Sequence, residues 1–448
     1  MALIIVVILL IGYLLIATEK VTNVNKAAVA IFVCTVGWVL YISYGNDFVM
    51  SQHPAEYATF LNGGAPSSIK VKEFIASNIF LKYVGRACDI VLFLLSTMTI
   101  VEILNNNGCF DFIRQLMRTR NSRRMLWTLS LATLFISANL DNLTTAVMML
   151  VIMRGIIPNR RQRLIYGSAI VIAANCGGAL TVIGDPSGLM LWDNGLVTAS
   201  SYFLSVALPC LVAWAVPTWW IGRMLPEHVD SQWITMPYRG DDTRLNVWQR
   251  LVMLIVGIGG LWFCPTFHNI TRLSPFLGAM CVLAILWIVN EAFNHKLLSM
   301  DRMVQRRTPQ MLIYSSHQMI LFVLGMMMAL GVVMETGMLT QFWNFLQAHG
   351  CGQWILGIAA GCISSVLDNF ATASSFYALN PSTVTDAAYF KIIAYATAVG
   401  GNVLCMGSMA GMALMKAERV HVGWYFQHVG WKTLVGSAAG LGVMALTV

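Results

Sequence analysis

Ser137-Ala138-Asn139-Leu140-Asp141-Asn142-Leu143-Thr144-Thr145-Ala146 returns later in the chain as Ser364-Ser365-Val366-Leu367-Asp368-Asn369-Phe370-Ala371-Thr372-Ala373. Six of the ten positions are identical, at an offset of 227 residues. A second echo follows each copy. Gly177-Gly178, Gly184 and Gly188 have the spacing of Gly400-Gly401, Gly407 and Gly411, at an offset of 223. Two motifs in the same order at a near-constant offset indicate an internal duplication.

Each copy of the first motif interrupts an apolar segment with a polar cluster at its middle. The segments run near 125–153 and 352–380 and read as re-entrant hairpins. Arginines bracket the first at both ends (Arg120, Arg123, Arg124; Arg154, Arg160, Arg161), which a hairpin keeps on one side and a single crossing would split. Non-helical backbone at membrane depth is tolerated only where protein or water satisfies it. Each copy of the second motif breaks an apolar run, near 164–195 and 387–416. Gly177, Gly178, Gly184 and Pro186 unwind the first; Gly400, Gly401 and Gly407 unwind the second. Pro186 lacks an N–H and clashes with the preceding turn.

The rest of the chain fits this frame. Of 448 residues 57% are apolar and only 11% charged, with mean hydropathy +0.69. Soluble domains are about 25% charged, so a soluble, fibrous or disordered protein is excluded. Apolar runs near the length of a bilayer crossing, about 20 residues, lie near 1–17, 27–44, 84–105, 164–195, 201–222, 246–264, 274–290, 311–334, 387–416 and 424–447. The expected fold is all-α and polytopic. It is an inverted repeat of five transmembrane helices plus one re-entrant hairpin per half, with a broken helix in each. The halves are 1–225 and 246–448, joined by a polar linker over 226–245. An odd number of crossings per half turns the second half upside down, a plan common in secondary transporters.

The net charge of +8 does not indicate nucleic acid, because the cations cluster in short loops between apolar runs. They mark the inner face of the membrane. That places the loops near Lys20/Lys26, Arg114–Arg124 (including Arg118), Arg223–Arg250, Arg302–Arg307 (including Arg306, with Lys296 in the same cluster) and Lys416–His421 inside. The loop 45–77 and both termini are then outside. The run Met1–Ala17 has no basic flank or small-residue cleavage site and reads as a retained span. The ten cysteines form no CxxC pair, so neither a disulfide framework nor a metal cluster is expected. No ATPase or standard hydrolase signature is present, and no motif calls for a cofactor.

Asp141 and Asp368 carry the chemistry. A charged group at the bilayer centre costs about 2.5–3.5 kcal/mol on insertion scales, so it is read as facing a cavity or ion. Asn142, Asn369, Ser137, Ser364, Thr144, Thr145 and Thr372 supply the oxygen atoms that hard cations prefer. The Asp-Asn pairs also suit helix N-caps, a role compatible with ion binding. Asn175, Asp185, Asn402 and Ser408 lie in the unwound segments, where freed carbonyls coordinate cations. Asp185 is a third acid, and Ser408 takes its place in the second half. Asp89 and Arg86 read as a buried structural pair. Glu102, Glu335 and His317 read as span-end residues that snorkel to the surface.

These residues resemble the NhaD-type sodium/proton antiporters of the ion transporter superfamily. The likeness is carried by Met98–Glu102, the Leu140-Asp141-Asn142-Leu143-Thr144-Thr145 core, Ala173–Gly178, Leu367-Asp368-Asn369, Gly400-Gly401, Gly407–Gly411 and Gly423-Trp424-Tyr425. The resemblance implies a scaffold and a mobile transport domain, a homodimer, an elevator motion, and roles for Asp141, Thr144, Asp185 and Asp368. Two departures stand out. The family has Gly-Asp-Val-Thr-Thr at Gly184–Gly188 and Asp-Asn-Val-Pro at Asp368–Ala371. The first removes hydroxyl ligands near Asp185 and is more like the arsenite- and anion-permease relatives.

The expected function is exchange of Na⁺ (or Li⁺) for H⁺ in the bacterial inner membrane, serving pH homeostasis. Na⁺ would bind at Asp141 and Asp368, the proton competing for the same carboxylates. Two alternatives remain open at this point: an ion-coupled anion or carboxylate transporter on the same scaffold, and an intramembrane aspartyl protease using Asp141 and Asp368.

Overall fold

A computed structural model describes residues 1–22, 24–117, 119–229, 245–294 and 310–448. Most of the expected linker 226–245, and the cationic loop with Lys296, Arg302, Arg306 and Arg307, lie outside the described residues, as do Arg118 and the side chains of Lys20 and Arg114. The described residues are mostly helical, with one isolated bridge between Asn121 and His228 and no strand.

Among the described residues six helices are long and apolar enough to cross a membrane: Lys26–Ser43, Ser68–Asn106, Ala199–Gly222, Pro275–Phe293, His317–Glu335 and Val422–Thr447. A seventh forms if the bent pair Val247–Gly259 and Phe263–Thr271, angled at 41°, is one span. The chain is a multi-pass, all-α membrane protein. At 1.5 Å per residue, an 18-residue helix such as Lys26–Ser43 is about 27 Å long, close to the hydrocarbon thickness.

Both broken helices expected from the glycine motifs form, and one expected span is short. The span near 164–195 is two pieces, Arg160–Gly178 and Pro186–Asp193. That near 387–416 is likewise Ala388–Gly400 and Met409–Glu418. The first span, Ala2–Ala17, is only 16 residues. The expected loop 45–77 is also mostly helical, as Gly45–Gln52, Pro54–Leu61 and Ser68–Phe74. Its polar composition hid the start signals. Pro54 sits in the first turn of its helix, and the Ser67 hydroxyl accepts from the Lys70 amide at 3.2 Å. Phe48, Val49, Tyr57, Val71 and Phe74 are buried there.

The two segments expected to be hairpins are each a pair of helices, Ser122–Ser137 with Asn142–Ile156 and Gln353–Ser364 with Asn369–Leu379. Packing is reciprocal. The first arm of each hairpin lies along the first piece of its own broken helix. The second arm of each meets the second piece of the other half's broken helix. Lys26–Ser43 packs along Gln310–Glu335, and Pro275–Asn294 along Ser68–Asn106.

Ala199–Gly222 and Trp431–Thr447 form another extensively packed pair. Pro209 removes the N–H that would bond the Ser205 carbonyl. Thr447 Oγ1 from the facing helix donates to that carbonyl at 2.9 Å.

Buried charge ties the ends together. Glu418 accepts from Arg154 Nε and Arg163 Nε, each at 3.0 Å, and Arg160 reaches the Glu418 carbonyl. The loops around 154–163 and 416–421 therefore share one face. Asp386 caps the helix starting at Ala199 through the Thr198 amide and hydroxyl, each at 2.9 Å.

Candidate ion site at the helix breaks

The two breaks are held open by close backbone approach. None of the six break glycines has a positive φ. A Cβ on Gly177 would strike the Leu134 carbonyl, and one on Gly400 the carbonyl of Gly361, the matching residue of the other hairpin. A Cβ on Gly184 would lie 2.6 Å from the Ser137 oxygen, and one on Gly407 would collide with that of Ser364. Glycine is required because each hairpin turn is pressed onto the unwound segment beside it. Ser137 Oγ then donates to the Ala174 carbonyl at 2.6 Å, and Ser364 Oγ to that of Thr397 at 2.7 Å. These two hydroxyls fasten hairpin to broken helix at matched positions.

All thirteen polar residues singled out from the sequence are buried. Asp141, Asp185, Asp368 and Ser408 each cap a helix N-terminus. The partial positive charge of a helix start favours the ionised carboxylate there. Asp141 Oδ2 accepts from the Thr144 amide at 2.9 Å and its hydroxyl at 3.1 Å. Asp141 Oδ1 is buried without a hydrogen-bond partner, as are Thr145 Oγ1 and Asn175 Oδ1. Buried polar atoms are nearly always paired, so three unpaired oxygens on adjoining elements make this a candidate ligand site.

Asn142 Nδ2 donates to Asp185 Oδ1 at 2.9 Å, joining the first hairpin to the first break. Asp185 Oδ2 accepts from the Ser187 hydroxyl, which corrects the expectation that the Gly-Asp-Pro sequence strips hydroxyls from this acid. Asn175 Nδ2 donates to Asn402 Oδ1 and Ser408 Oγ, both at 2.8 Å, and so joins the two breaks. The Asn369 amide donates to the Gly407 carbonyl at 3.1 Å. Thr372 Oγ1 bonds back to the Asp368 carbonyl. Asp185 lies within electrostatic reach of both Asp141 and Asp368.

One participant was missed. Lys26, expected in a surface loop, is the first residue of its helix, 6% exposed, with Nζ 2.5 Å from Asp368 Oδ2 and 4.5 Å from the Phe322 ring centroid. Its only signal was a cation directly abutting a long apolar run. Two lesser expectations also fail. Arg86 is exposed and no ion pair joins it to Asp89. Glu335 does not snorkel: only partly exposed, it bonds Tyr83 Oη and His53 Nε2, both at 2.7 Å.

A proteolytic dyad is absent. The carboxylates of Asp141 and Asp368 accept from different partners, and no hydrogen bond joins them.

The chain matches the model of the family described as "Citrate transporter" over residues 13–400. It belongs to that family. The transporter is 28% identical to "Sodium/proton antiporter 2" of Arabidopsis thaliana over 439 residues, covering 96% of each chain. It is 31% identical to "Sodium/proton antiporter 1" of the same plant over 365 residues, 80% of this chain and 61% of that one. It therefore spans about three fifths of the latter's length. It is 27% identical to "Na(+)/H(+) antiporter NhaD" of Alkalimonas amylolytica over 372 residues, 78% of this chain and 74% of that protein. The likeness to NhaD-type antiporters read from the motifs holds. The transporter is not an enzyme.

Proposed function

We propose that this transporter exchanges Na⁺ (or Li⁺) for H⁺ by alternating access. The cation binds among Asp141, Thr145, Asn175 and Asp185, and protons compete for the same carboxylates. The observation that carries this reading is the buried, unpartnered Asp141 Oδ1 at a crossing of four capped helix starts. The names of the plant and bacterial relatives support the ion pair. Lys26 neutralises Asp368, so the second hairpin offers a counter-charge where the first offers a ligand. When a proton or Na⁺ changes the charge at Asp141 and Asp185, the balance with Lys26 changes too.

The matched element order and reciprocal packing support two inverted repeats, 1–225 and 246–448, with 226–245 between them. The hairpins and broken helices form the moving body of an elevator, in a homodimer of the bacterial inner membrane with both termini outside. The test is dye-reported proton movement in everted vesicles on adding Na⁺, Li⁺ or K⁺. Na⁺-dependent alkalinisation, lost in Asp141→Asn, is the expected result; full exchange by Asp141→Asn rejects the site.

The family description and one cavity favour a second reading, ion-coupled carboxylate transport. Substrate-stimulated uptake of a di- or tricarboxylate, without cation-dependent proton movement, would decide for it.

A further inference from the structure

A cavity of about 300 Å³ opens between Ser68–Asn106, Gln310–Glu335, the end of Pro186–Asp193 and the loop after the second hairpin. Its polar lining comes from Arg86, Asn194, Asn380, Ser382 and Thr383, and Tyr377 forms part of its wall. Met190 and Asn194, also in the wall, belong to the short helix that Asp185 caps and the residue following it. Tyr377 is 4% exposed, and its hydroxyl lies beside the Ser187 side chain, which bonds Asp185. It lies within electrostatic reach of Asp185. The cavity thus meets, through one buried hydroxyl, the acid of the first helix break.

We propose that this cavity is the vestibule through which the cation reaches Asp185, with Tyr377 Oη the oxygen that receives it as it sheds water. The proposal rests on the cation-exchange reading above and adds the route and the receiving residue. Hydroxyl and amide groups along the wall replace part of the hydration shell, as oxygen ligands do for hard cations. Arg86 is the wall's one charged side chain, and no carboxylate comes within 4 Å of its guanidinium among the described residues. Its field lowers the cation concentration in the vestibule and so weakens the apparent affinity of entry, a brake that a neutral side chain would release.

The experiment uses the full chain, with its native cysteines replaced, in vesicles whose Na⁺-dependent proton movement is measured first. A cysteine placed by Ala378→Cys, on the cavity wall beside Tyr377, is treated with a positively charged methanethiosulfonate reagent. Exchange should stop, and Na⁺ but not choline should slow the modification. The same reagent on Thr59→Cys, an exposed position outside the cavity, should leave exchange intact. In the native-cysteine protein, Tyr377→Phe should raise the apparent KM for Na⁺ about tenfold with kcat nearly kept, and Arg86→Gln should lower it. Exchange that persists after full modification at position 378, or a Tyr377→Phe protein with unchanged KM, overturns the vestibule while leaving the exchange reading standing. Protection of position 378 by a dicarboxylate and not by Na⁺ overturns both. The parent's own exchange, read in the same vesicles, separates failure of the reading from failure of the route.

Discussion

The two helix breaks share one backbone device and differ in chemistry. In both, glycines admit a hairpin turn, a serine ties that turn to the broken helix, and an aspartate caps the hairpin's second arm. The first break adds Asp185 and leaves Asp141 Oδ1 unpaired. The second replaces that acid with Ser408 and hands Asp368 to Lys26. The same backbone arrangement thus carries two charge states: the first break leaves a carboxylate oxygen unpaired, and the second closes its carboxylate in an ion pair. The largest effects should come from breaking that contrast.

Lys26→Met removes the closed half. Both side chains of the pair are nearly excluded from solvent, at 8% and 3% exposure. Removing one partner of a buried ion pair costs about 3–5 kcal/mol, because the survivor stays charged and uncompensated. Thermal unfolding in detergent should show a large loss for Lys26→Met and substantial recovery in Lys26→Met/Asp368→Asn. If the double variant is no more stable than the single, the pair does not hold this fold as described.

Asp141→Asn removes the open half with little change of shape. A hydrogen bond or contact to a charged group is worth about 1.5–3 kcal/mol, so apparent Na⁺ affinity should fall by between about tenfold and a hundredfold or more. Stability should change far less than for Lys26→Met, since one oxygen of Asp141 has no partner to lose. Proton movement against Na⁺ concentration, beside an unfolding curve, reads both quantities. Equal damage to stability in the two variants would erase the contrast between open and closed halves.

The glycines test what the halves have in common. Gly184→Ala and Gly407→Ala each drive a Cβ into a backbone oxygen of the adjoining hairpin, where nothing flexible can yield. Overpacking costs about 1–3 kcal/mol, so both should lower the melting temperature by similar amounts. Gly85→Ala, with nothing within 4 Å of the added atom, is the control and should be near neutral. A large difference between Gly184→Ala and Gly407→Ala would mean the breaks are not mechanical equivalents.

Much of this comparison was legible in the sequence because it is local. The repeated Asp-Asn element placed both hairpins, the glycine spacing placed both breaks, and every polar residue named from those motifs proved buried. What was not legible depends on contacts far apart in the chain. Lys26 meets Asp368 across 342 residues, and a cation beside an apolar run reads as a topology marker until its partner is known. Glu335 looked like a span-end residue because its partners are distant in sequence: Tyr83 lies at the start of another span, and His53 in a segment whose polar composition concealed its helices. Ser187 is two residues from Asp185, yet only the helix start at Pro186 turns its hydroxyl back onto the carboxylate.

The smallest effect is the most selective for the ligand reading. Thr145 is fully buried at the turn after Asp141, and its hydroxyl donates to nothing and accepts from nothing. Thr372, its counterpart at the 227-residue offset, closes a hydrogen bond to the Asp368 carbonyl instead. Valine keeps the branched shape and removes only the oxygen. At position 372, Thr372→Val forfeits a hydrogen bond worth about 0.5–1.5 kcal/mol and should show a small loss of stability. At position 145, no protein hydrogen bond is lost, and replacing an unpaired buried polar group by an apolar one is near neutral or stabilising. Stability of Thr145→Val should therefore hold or rise, while apparent Na⁺ affinity falls about threefold to tenfold if the free oxygen waits for the ion. A Thr145→Val protein that gains stability and keeps its Na⁺ affinity would show that the oxygen is a packing defect, and would leave Asp141 Oδ1 and Asn175 Oδ1 to hold the ion without it.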